Sequence, residues 1–275
     1  MSTVEAGLAA LTAVLAEGGV EGAGREAAML LAHVLDLPRD RLALSRGEVL
    51  DDGALAQAMA LAARRAAGEP MSHLRGWREF WGRRFAVDAR VLDPRPETEV
   101  LIAAALEEPF ADVLDLGSGS GCILLTLLAE REAARGVGTD VSGAALEVAR
   151  ANAAALGLVG RAGFIETDWW AGLRGRFDLI VSNPPYIALA EMEGLQRELS
   201  HEPRMALTDE GDGLSAYRAI AAGLGDRLAP GGRVLVEIGP SQSAAVSALF
   251  AAAGLGEIRV LPDLDGRDRV VAARG

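Results

Sequence analysis

The apolar positions of this chain follow one periodicity before about residue 80 and another after about residue 96. In the first part, Ala and Leu recur at three- and four-residue spacing over 4–16, 24–35 and 54–67, which predicts short amphipathic helices. Helices of this length are marginal in isolation, so they are expected to pack as a small bundle. We therefore predict an N-terminal helical domain over residues 1–80, which serves either as a cap or as a docking site for a partner.

In the second part, short apolar runs alternate with helical periodicity. Strands are predicted at 113–116, 137–139, 163–166, 177–182, 233–238, 257–261 and 269–273. Helices are predicted at 97–106, 122–131, 143–156, 213–228 and 241–253. This alternation indicates an α/β fold with a doubly wound, mostly parallel sheet. The last two strands are too close in sequence for a parallel crossover, so they are expected to form a terminal antiparallel hairpin.

Residues 71–95, between the two parts, mix aromatic and basic side chains. The mixed residues are Trp77, Phe80, Trp81 and Phe85 with Arg75, Arg78, Arg83, Arg84 and Arg90. Such interleaving can bind single-stranded nucleic acid, but it also suits a strand pair whose aromatic rings pack inward and whose arginines are solvated. No larger basic surface in the sequence supports the first interpretation. We therefore predict a β-hairpin linker over 81–95, followed by the main domain over 96–275.

Charge is distributed unevenly along the 275 residues, whose net charge is −12. Every basic residue is Arg, and 96–275 carries 15 Arg against 26 Asp and Glu, a net of −11. Residues 1–95 carry 12 Arg against 13 Asp and Glu, a net of −1. A strongly acidic second part is a poor partner for a phosphate backbone and suits a basic protein better. No nucleic-acid partner is therefore expected.

Several bulk features bear on the cellular setting. A single cysteine, Cys122, excludes an internal disulfide and is consistent with a reducing cytoplasm. No apolar run approaches the ~20 residues needed to cross a membrane, and the N-terminus lacks the pattern of a signal peptide. His33, His73 and His201 are scattered, without Cys/His ligand spacing, so no metal is predicted. We expect a cytoplasmic monomer without a membrane partner.

A glycine-rich turn follows the first predicted strand of the second part. The turn consists of Gly117, Ser118, Gly119, Ser120 and Gly121. Its glycines permit a tight turn and a close approach of a ligand to the backbone. The dinucleotide-binding pattern G-x-G-x-x-G would need a glycine where Cys122 stands, so this loop fits a cofactor without a pyrophosphate. S-adenosylmethionine is such a cofactor, since its carboxylate and amino group can lie against the loop. The alternative is a purely structural turn.

Polar and aromatic residues at the next two strand ends are further candidate cofactor contacts. Asp140 ends the second strand, where a carboxylate can accept hydrogen bonds from both ribose hydroxyls. It can also serve as the N-cap of the helix that starts at Gly143. After the third strand, Asp168 can accept from an adenine amino group and Trp169 can pack on the ring. The alternative for Trp169 and Trp170 is simple core packing.

The turn Asn183-Pro184-Pro185-Tyr186 follows the buried strand predicted at 177–182. An amide nitrogen is a poor nucleophile because its lone pair is conjugated into the carbonyl, and two acceptors on its hydrogens would orient it and raise its electron density. The Asn183 side-chain oxygen and the Pro184 carbonyl are the candidate acceptors, on a loop locked by prolines. Tyr186 can stack on the amide and face a transferring cationic methyl. The turn therefore predicts methyl transfer to an amide or amino nitrogen, by in-line positioning.

Eight segments form a recognisable set: GEPMSHLRGWREFWG (68–82), DPRPETEVLI (93–102), DLGSGSGCI (115–123), TDVSGAALEVARANA (139–153), SNPPYI (182–187), EPRMAL (202–207), DGLSAYRAI (212–220) and GRDRVVAAR (266–274). On these segments the chain resembles the HemK-type family of peptide chain release factor glutamine N5-methyltransferases. PRPETE (94–99) together with NPPY is specific to that family, whereas the first 67 residues match only in character. Asp93 departs from the family by replacing a usually apolar residue, and Ser118 and Ser120 stand where Thr is common.

This resemblance implies a small N-terminal helical domain, a β-hairpin linker and a Rossmann-like class I methyltransferase domain. It implies S-adenosylmethionine as methyl donor, with S-adenosylhomocysteine as product. The implied acceptor is the glutamine side chain in the Gly-Gly-Gln loop of class 1 release factors, whose methylation modulates translation termination. The family's cofactor residues carry over to Gly117–Gly121, Asp140, Trp169 and Asn183. Its substrate contacts carry over to Asn183, Pro184, Pro185 and Tyr186.

Other functions remain as alternatives. Methylation of a glutamine in a ribosomal protein would use the same chemistry. Methylation of DNA adenine at N6 would also suit the NPPY turn, but it requires a basic DNA-binding face or a target-recognition insertion, and base flipping. An NAD-dependent oxidoreductase or a non-catalytic nucleotide-binding module is disfavoured by the G-x-G-x-G loop and by NPPY.

Overall fold

The computed structural model describes residues 2–194 and 197–275. Within these residues, contacts divide the chain into two compact units. Of the described residues, one unit comprises 2–76 and 197–201, and the other comprises 77–194 and 202–275. The boundary therefore falls a few residues before the predicted domain end at residue 80, because Gly76 ends a helix and the next residues already form a strand.

The first unit is a helical bundle, as the periodicity of its apolar residues predicts. Its elements are α1 (Val4–Glu17), α2 (Ala23–Val34), α3 (Arg39–Leu44), α4 (Asp52–Ala66) and α5 (Met71–Arg75), with the short strands β1 (Ser2–Thr3) and β2 (Val49–Leu50). Side-chain caps start two helices, since Thr3 accepts an N–H of α1 and Asp51 accepts an N–H of α4. The sequence pattern does not predict α3 and α5, because six and five residues are too few to show a helical period.

Aliphatic side chains and one buried ion pair hold this bundle together. Fully buried core members include Leu11, Leu15, Leu30 and Leu31. Beside them, Arg65 of α4 donates to Glu26 of α2 at 2.6 Å and to Glu198 at 2.6 Å. Because Glu198 lies far along the chain, this guanidinium ties a distant short segment to the bundle.

The second unit contains, within the part that the structure describes, a seven-stranded sheet flanked by helices. Its helices are α6 (Glu99–Ala105), α7 (Cys122–Glu130), α8 (Gly143–Ala155), α9 (Ser215–Arg227) and α10 (Ser243–Ala252). Its strands are β3 (Trp77–Phe80), β4 (Arg83–Ala86), β5 (Asp112–Leu116), β6 (Arg135–Asp140), β7 (Ala162–Glu166), β8 (Phe177–Ser182), β9 (Leu228–Glu237), β10 (Gly256–Pro262) and β11 (Asp268–Arg274). No helix of the described chain is long and apolar enough to span a membrane.

The predicted topology of the sheet is confirmed. The strand order is β10-β11-β9-β8-β5-β6-β7, and β3 pairs with β4 separately. The neighbours from β9 through β8, β5 and β6 to β7 are parallel, whereas β11 is antiparallel to both β9 and β10. The connection 263–267 explains the reversal, because a parallel crossover needs a dozen or more residues.

The β-hairpin lies earlier than predicted, at 77–86 in place of 81–95. α5 ends at Gly76, whose φ of 74° suits glycine, so the chain enters β3 at the next residue. The hairpin turns at Trp81 and Gly82, which both have positive φ. The predicted linker starts too late because the helical domain was extended to residue 80, whereas β3 already begins at Trp77.

The aromatic rings inside the hairpin are used for packing. Phe80 and Phe85 are buried, with ring centroids 6.1 Å apart in an edge-to-face arrangement. Arg84 lies over the ring of Trp77, 4.2 Å from its centroid. These contacts agree with the packed strand pair that was one of the two interpretations of this segment.

Alternate residues of the central strands contact two separate hydrophobic clusters. Val113 of β5 and Val181 of β8 belong to the cluster that includes α6 and α7. Their neighbours Leu114 and Ile180 belong to the cluster that includes α9 and α10. Both faces of the sheet are therefore buried, which is why these strands appear in the sequence as continuous apolar runs.

The carboxyl ends of β5, β6 and β8 lie side by side. Leu116 at the end of β5 is paired with Thr139 of β6 and with Ser182 of β8. Ser182 also donates its hydroxyl hydrogen to the Leu116 carbonyl at 2.7 Å. The loops after these strands therefore start from one edge of the sheet, which is the usual place for ligands in doubly wound folds.

We expect Gly136→Ala to destabilise the fold, because β6 passes very close to its neighbours at this residue. A Cβ at Gly136 would lie 2.6 Å from side-chain atoms of Leu124 and Val113, and 2.8 Å from the Val113 carbonyl oxygen. Overpacking of this kind costs about 1–3 kcal/mol, which urea denaturation followed by circular dichroism would measure.

The matched control is Gly163→Ala on β7, where a Cβ would meet its nearest atoms at 3.9 Å. This variant should change the free energy of unfolding by less than about 0.5 kcal/mol. Equal losses in the two variants would contradict the crowding argument.

Candidate active site

The glycine-rich turn 117–121 runs from the end of β5 to the start of α7. Gly117, Gly119 and Gly121 all have positive φ, with values of 72°, 53° and 78°. A Cβ at Gly117 or Gly119 would meet nothing within 4 Å, so the space in front of these two residues is open. At Gly121 a Cβ would lie 3.2 Å from the Cβ of Ala149. The first two glycines therefore leave room for a ligand, whereas the third allows α7 to pack against α8.

The two serines of this turn stabilise its shape. The Ser118 N–H donates to the Thr139 carbonyl at 2.8 Å, and the Ser118 hydroxyl donates to the Asp115 carbonyl at 3.1 Å. The Ser120 carbonyl accepts from the side-chain amide of Asn152 at 2.9 Å. Both serines are buried. Their hydrogen bonds connect the turn to its own strand, to β6 and to α8.

Asp140 stands at the end of β6, beside the glycine-rich turn. Its Oδ2 accepts the N–H of Gly119 at 2.9 Å, and its Oδ1 accepts the N–H of Ser142 at 2.9 Å. Burial raises the pKa of this carboxyl, and the backbone N–H groups oppose that shift. The N-cap of α8 is Ser142 and not Asp140, because Asp140 is still part of the strand. The Val141 N–H also acts on this carboxylate, which still has acceptor capacity left for a ligand.

The two tryptophans after β7 have different surroundings. Trp169 lines a cavity and has a φ of 47°, a strained conformation for a bulky residue. Trp170 donates its Nε1–H to the Ala219 carbonyl at 2.7 Å and packs closely on Gly223 of α9. Asp168 is exposed and lines the same cavity as Trp169. One tryptophan therefore lies at the cavity, and the other belongs to the packing of α9.

Gln242 holds the Asn-Pro-Pro-Tyr turn in place. Its Nε2 donates to the Tyr186 carbonyl at 2.9 Å and to the Gly213 carbonyl at 3.1 Å. Its Oε1 accepts the N–H of Gly239 at 2.9 Å. Pro184 is buried, and the proline ring restricts φ. The shape of the turn is thus determined by the protein itself.

The side chain of Asn183 has a defined orientation. Its Nδ2 donates to Thr98 Oγ1 at 3.2 Å, and Thr98 Oγ1 donates to Glu237 Oε2 at 2.6 Å. Asn183 lines the cavity, and no hydrogen bond from within the described ranges reaches its Oδ1. The oxygen of this amide is therefore available to accept hydrogen bonds from a ligand.

Two acids lie buried behind the cavity. Burial raises the pKa of Asp115 and the pKa of Glu237 each to about 7. Asp115 accepts the Leu124 N–H at 3.3 Å through Oδ2, and its Oδ1 has no partner in the described part of the chain. Glu237 accepts from the Thr98 hydroxyl, which opposes the rise in its pKa. Both carboxyls are therefore costly to ionise in the folded protein.

An ion pair connects two chain segments that line one side of the cavity. Arg95, within PRPETE, donates to both carboxylate oxygens of the buried Glu202, at 2.6 Å and 2.7 Å. The residues after Glu202 contribute Pro203, Met205 and Ala206 to the lining, as Arg95 does. This pair connects two distant segments that both contact the cavity.

The groups described above surround a single cavity. Of the residues predicted to form the site, those that line it are Gly117, Ser118, Gly119, Ser120, Asp140, Asp168, Trp169, Asn183 and Pro185. Gly121, Pro184 and Tyr186 are not part of this lining, as far as the structure describes it. Tyr186 packs beside the cluster of α9 and α10, where burial raises its pKa to about 12. Over 2–194 and 197–275, no cluster of His, Cys, Asp and Glu suits a metal ion.

The predicted set lacks the polar residues that hold the NPPY turn and the Asn183 amide, which are Thr98, Glu237 and Gln242. Glu237 offers a signal in the sequence, because a carboxylate at the end of a buried apolar strand is unusual. Thr98 lies within PRPETE, but no local pattern indicates that it contacts Asn183. Gln242 carries no signal of its own.

Comparisons with known proteins agree with this architecture. The family model described as "Methyltransferase small domain" matches residues 92–215, and the one described as "PrmC N-terminal domain" matches residues 8–76. A release factor glutamine methyltransferase of Cereibacter sphaeroides is 55% identical, over 94% of this chain and 94% of its own. One from Burkholderia pseudomallei is 46% identical, over 90% of this chain and 91% of its own.

Solved structures show the same fold at low identity. A methyltransferase from Pyrococcus furiosus superimposes with a TM-score of 0.55 and 15% identity, over 82% of this chain and 98% of its own. The catalytic domain of hMettl16 superimposes with a TM-score of 0.54 and 16% sequence identity, over 83% of this chain and 84% of its own.

The sheet with its terminal antiparallel hairpin, the glycine-rich turn and the NPPY turn at one sheet edge define a Rossmann-like class I methyltransferase. An enzyme of this class uses S-adenosylmethionine as its methyl donor. Given its identity to the curated relatives over nearly the whole chain, the protein belongs to the release factor glutamine methyltransferase family.

We expect the free energy of unfolding to fall as pH rises from about 4 to about 7. A carboxyl whose pKa is higher in the folded than in the unfolded state stabilises the fold at low pH, and this stabilisation is lost as pH rises through the folded pKa. Asp115 and Glu237 both shift in this direction. Urea denaturation at about pH 5 and about pH 8 should show a difference on the order of 1–3 kcal/mol per group.

The control is Glu237→Gln, which has no charge to bury and should show a smaller fall over the same pH range. If the fall were equal in the variant and the wild type, it would have to come from groups other than Glu237. A wild-type protein whose stability rose between these pH values would contradict the expectation for both acids.

Proposed function

We propose that this protein transfers a methyl group from S-adenosylmethionine to the side-chain amide nitrogen, N5, of the glutamine in the Gly-Gly-Gln motif of class 1 peptide chain release factors. The observation that carries the proposal is the orientation of Asn183. Its amino end donates to Thr98, so its oxygen is available at the cavity as an acceptor. A primary amide presents two N–H groups and is complementary to such an acceptor. Membership of the release factor glutamine methyltransferase family supports glutamine as the modified residue.

S-adenosylmethionine supplies an electrophilic methyl group on a sulfonium sulfur, and S-adenosylhomocysteine is the product. The residues that we propose to hold it are Gly117, Ser118, Gly119, Ser120, Asp140, Asp168, Trp169 and Asn183. The open space in front of Gly117 and Gly119 fits a ligand that lies against the backbone. The remaining acceptor capacity of Asp140 fits ribose hydroxyls, and the half-buried ring of Trp169 fits a planar base. The proposal includes no metal.

The nucleophile is held by two acceptors of the turn, Asn183 Oδ1 and the Pro184 carbonyl oxygen. If both amide hydrogens are donated to these oxygens, the nitrogen is oriented and its electron density rises. Pro185 contributes an apolar surface to the cavity lining next to these two acceptors. Because Gln242 already holds the turn, little reorganisation is needed when the substrate binds.

Transfer forms a bond between the amide nitrogen and the methyl carbon and breaks the bond between that carbon and sulfur. The methylated nitrogen then releases one proton to water, so no general base is required. In-line positioning accounts for much of the acceleration. The Tyr186 ring packs against the cluster of α9 and α10 and is not part of the described cavity lining. We therefore assign Tyr186 a different role from stacking on the substrate: its carbonyl oxygen, which accepts from Gln242, anchors the turn.

Charge supports a basic protein as the partner, since residues 96–275 carry a net of −11. Within this proposal, 96–275 is the methyltransferase domain and 1–80 is a docking or capping domain for the release factor. The protein would act as a cytoplasmic monomer, at the site of translation, without nucleic acid or a membrane as a partner. Glutamine in a ribosomal protein is the closest alternative acceptor, because it presents the same amide.

Mass spectrometry of a purified class 1 release factor, incubated with this protein and S-adenosylmethionine, tests the proposal. We expect one methyl group on the glutamine of Gly-Gly-Gln. If that glutamine stayed unmodified while ribosomal protein glutamines gained methyl groups, the alternative acceptor would be correct. Modification of DNA adenine alone would contradict an amide acceptor altogether.

In the same assay, we expect Asn183→Ala to abolish methylation because the substrate amide loses one of its two acceptors. Calorimetry should show that the affinity for S-adenosylmethionine changes by no more than a few-fold, since the glycine-rich turn and Asp140 remain. A variant that turned over like the wild type would refute the acceptor role of Asn183.

We expect Asp140→Ala to weaken S-adenosylmethionine binding by about 1–3 kcal/mol, through loss of a charged hydrogen-bond acceptor. Isothermal titration calorimetry measures this directly. Asp212→Asn is the control, because Asp212 is exposed and pairs with Arg218 outside the cavity lining. Unchanged affinity in Asp140→Ala would show that Asp140 does not hold the ribose.

A further inference from the structure

Three polar side chains from separate parts of the second unit form a chain of hydrogen bonds that ends at the cavity. Glu237 lies at the end of β9, Thr98 in the single turn before α6, and Asn183 directly after β8. Thr98 and Glu237 are 2% and 1% exposed, so water does not compete for these bonds. The Oγ1–Oε2 distance is 2.6 Å, and the Nδ2–Oγ1 distance is 3.2 Å.

We propose that Thr98 and Glu237 are positioning residues that determine which end of the Asn183 amide faces the substrate. This inference rests on the proposed function, in which the Asn183 oxygen accepts a hydrogen of the substrate amide. Thr98 lines the cavity, whereas Glu237 lies outside its described lining, and we assign neither a contact with the reacting atoms. They act only through Asn183.

The direction of the chain follows from the chemistry of its members. An ionised carboxylate only accepts hydrogen bonds, and a hydroxyl has a single hydrogen to donate. The Thr98 hydrogen therefore goes to Glu237, and the Thr98 oxygen is left to accept. Of the two ends of the Asn183 amide, only the NH2 group can donate to it. In its ionised form, which prevails above its pKa of about 7, Glu237 thus selects the amide orientation, although the two orientations have almost the same shape.

A reversed amide would place an NH2 group where the substrate amide also presents NH2. Two donors cannot form a hydrogen bond with each other, so the substrate nitrogen would lose one acceptor and its alignment. Misplacement of a reacting group by about 1 Å can reduce the rate on the order of 100-fold. The orientation of Asn183 therefore matters for turnover more than for the affinity of either ligand.

The environment of Glu237 supports a functional reason for this acid. Burial makes its ionised form unfavourable, and its pKa is raised to about 7. No salt bridge to its carboxylate occurs among the described residues. A neutral side chain of the same size would be easier to bury, so the carboxylate is not explained by fold stability. The carboxylate of Glu237 accepts the hydrogen of Thr98. A neutral glutamine in its place could either accept from Thr98 or donate to it, so the direction of this hydrogen bond would not be determined.

Three variants test the inference in the methylation assay. Thr98→Val keeps the shape of the side chain and removes the hydroxyl. Glu237→Gln also keeps the shape, but its side-chain NH2 group can donate to the Thr98 oxygen. The Thr98 hydroxyl is then free to donate to the Asn183 oxygen. We expect kcat to fall roughly 10- to 100-fold in both. The KM for the release factor and the Kd for S-adenosylmethionine should stay within about threefold. Thr98→Ser, which retains the hydroxyl, should restore most of kcat.

The stability of Glu237→Gln separates positioning from a purely structural role. If the residue only supported the fold, loss of activity would accompany loss of stability. We expect instead a variant at least as stable as the wild type above about pH 7, but slower. Wild-type kcat in both Thr98→Val and Glu237→Gln would overturn the inference, and so would a loss of kcat that Thr98→Ser fails to restore.

Neutron diffraction of the free, deuterium-exchanged wild-type protein, at a pH well above the pKa of about 7 of Glu237, tests the orientation without any assay. We expect deuterons on the Asn183 atom that faces Thr98, and one deuteron on the line from Thr98 to Glu237. Deuterons on the opposite end of the amide would overturn the inference, whatever the methyl acceptor is. If the wild type failed to methylate a release factor, the proposed function would fail, and this measurement would still decide the role of Thr98 and Glu237.

Discussion

The parallel pairing of β5 with both β6 and β8 is the constraint on which the site depends. Leu116 is opposite Thr139 and Ser182, so three strands end at one edge of the sheet. The glycine-rich turn and the NPPY turn begin at this edge, and Asp140 is the last residue of β6. The hydroxyl of Ser182 donates to the Leu116 carbonyl and ties β8 to β5 at the last residue before Asn183. The distance between the proposed cofactor contacts and the proposed acceptor of the substrate is thereby determined by strand register.

Polar side chains behind this edge of the sheet determine the orientation of the hydrogen-bonding groups in the NPPY turn. Gln242 holds the Tyr186 carbonyl, and Thr98 with Glu237 holds the Asn183 amide. The same region buries two acids, and burial makes their ionised forms unfavourable, because it raises the pKa of Asp115 and of Glu237 to about 7. Stability and turnover are therefore expected to respond in opposite directions to removal of the Glu237 charge. That opposition is typical of side chains retained for function.

Features coded by local sequence could be predicted, and features that depend on distant partners could not. The strand 177–182 has the same bounds in the structure, because a continuous apolar run ending at a proline turn is a strong local signal. The antiparallel terminal hairpin followed from a connection too short for any crossover. By contrast, Thr98 and Glu237 are 139 residues apart, and nothing in either segment specifies the other. The linker hairpin was misplaced because the five-residue helix α5 is too short to show a period, so its end at Arg75 and the start of β3 at Trp77 carry no local signal.

A crystal structure of this protein with S-adenosylhomocysteine and a class 1 release factor tests the central claim most directly. We expect the glutamine of Gly-Gly-Gln to enter the cavity with its side-chain nitrogen within hydrogen-bond distance of both Asn183 Oδ1 and the Pro184 carbonyl oxygen. The nitrogen should face the position from which the methyl group has left. A glutamine whose carbonyl oxygen accepts from Asn183, or one that binds away from the NPPY turn, would contradict the account.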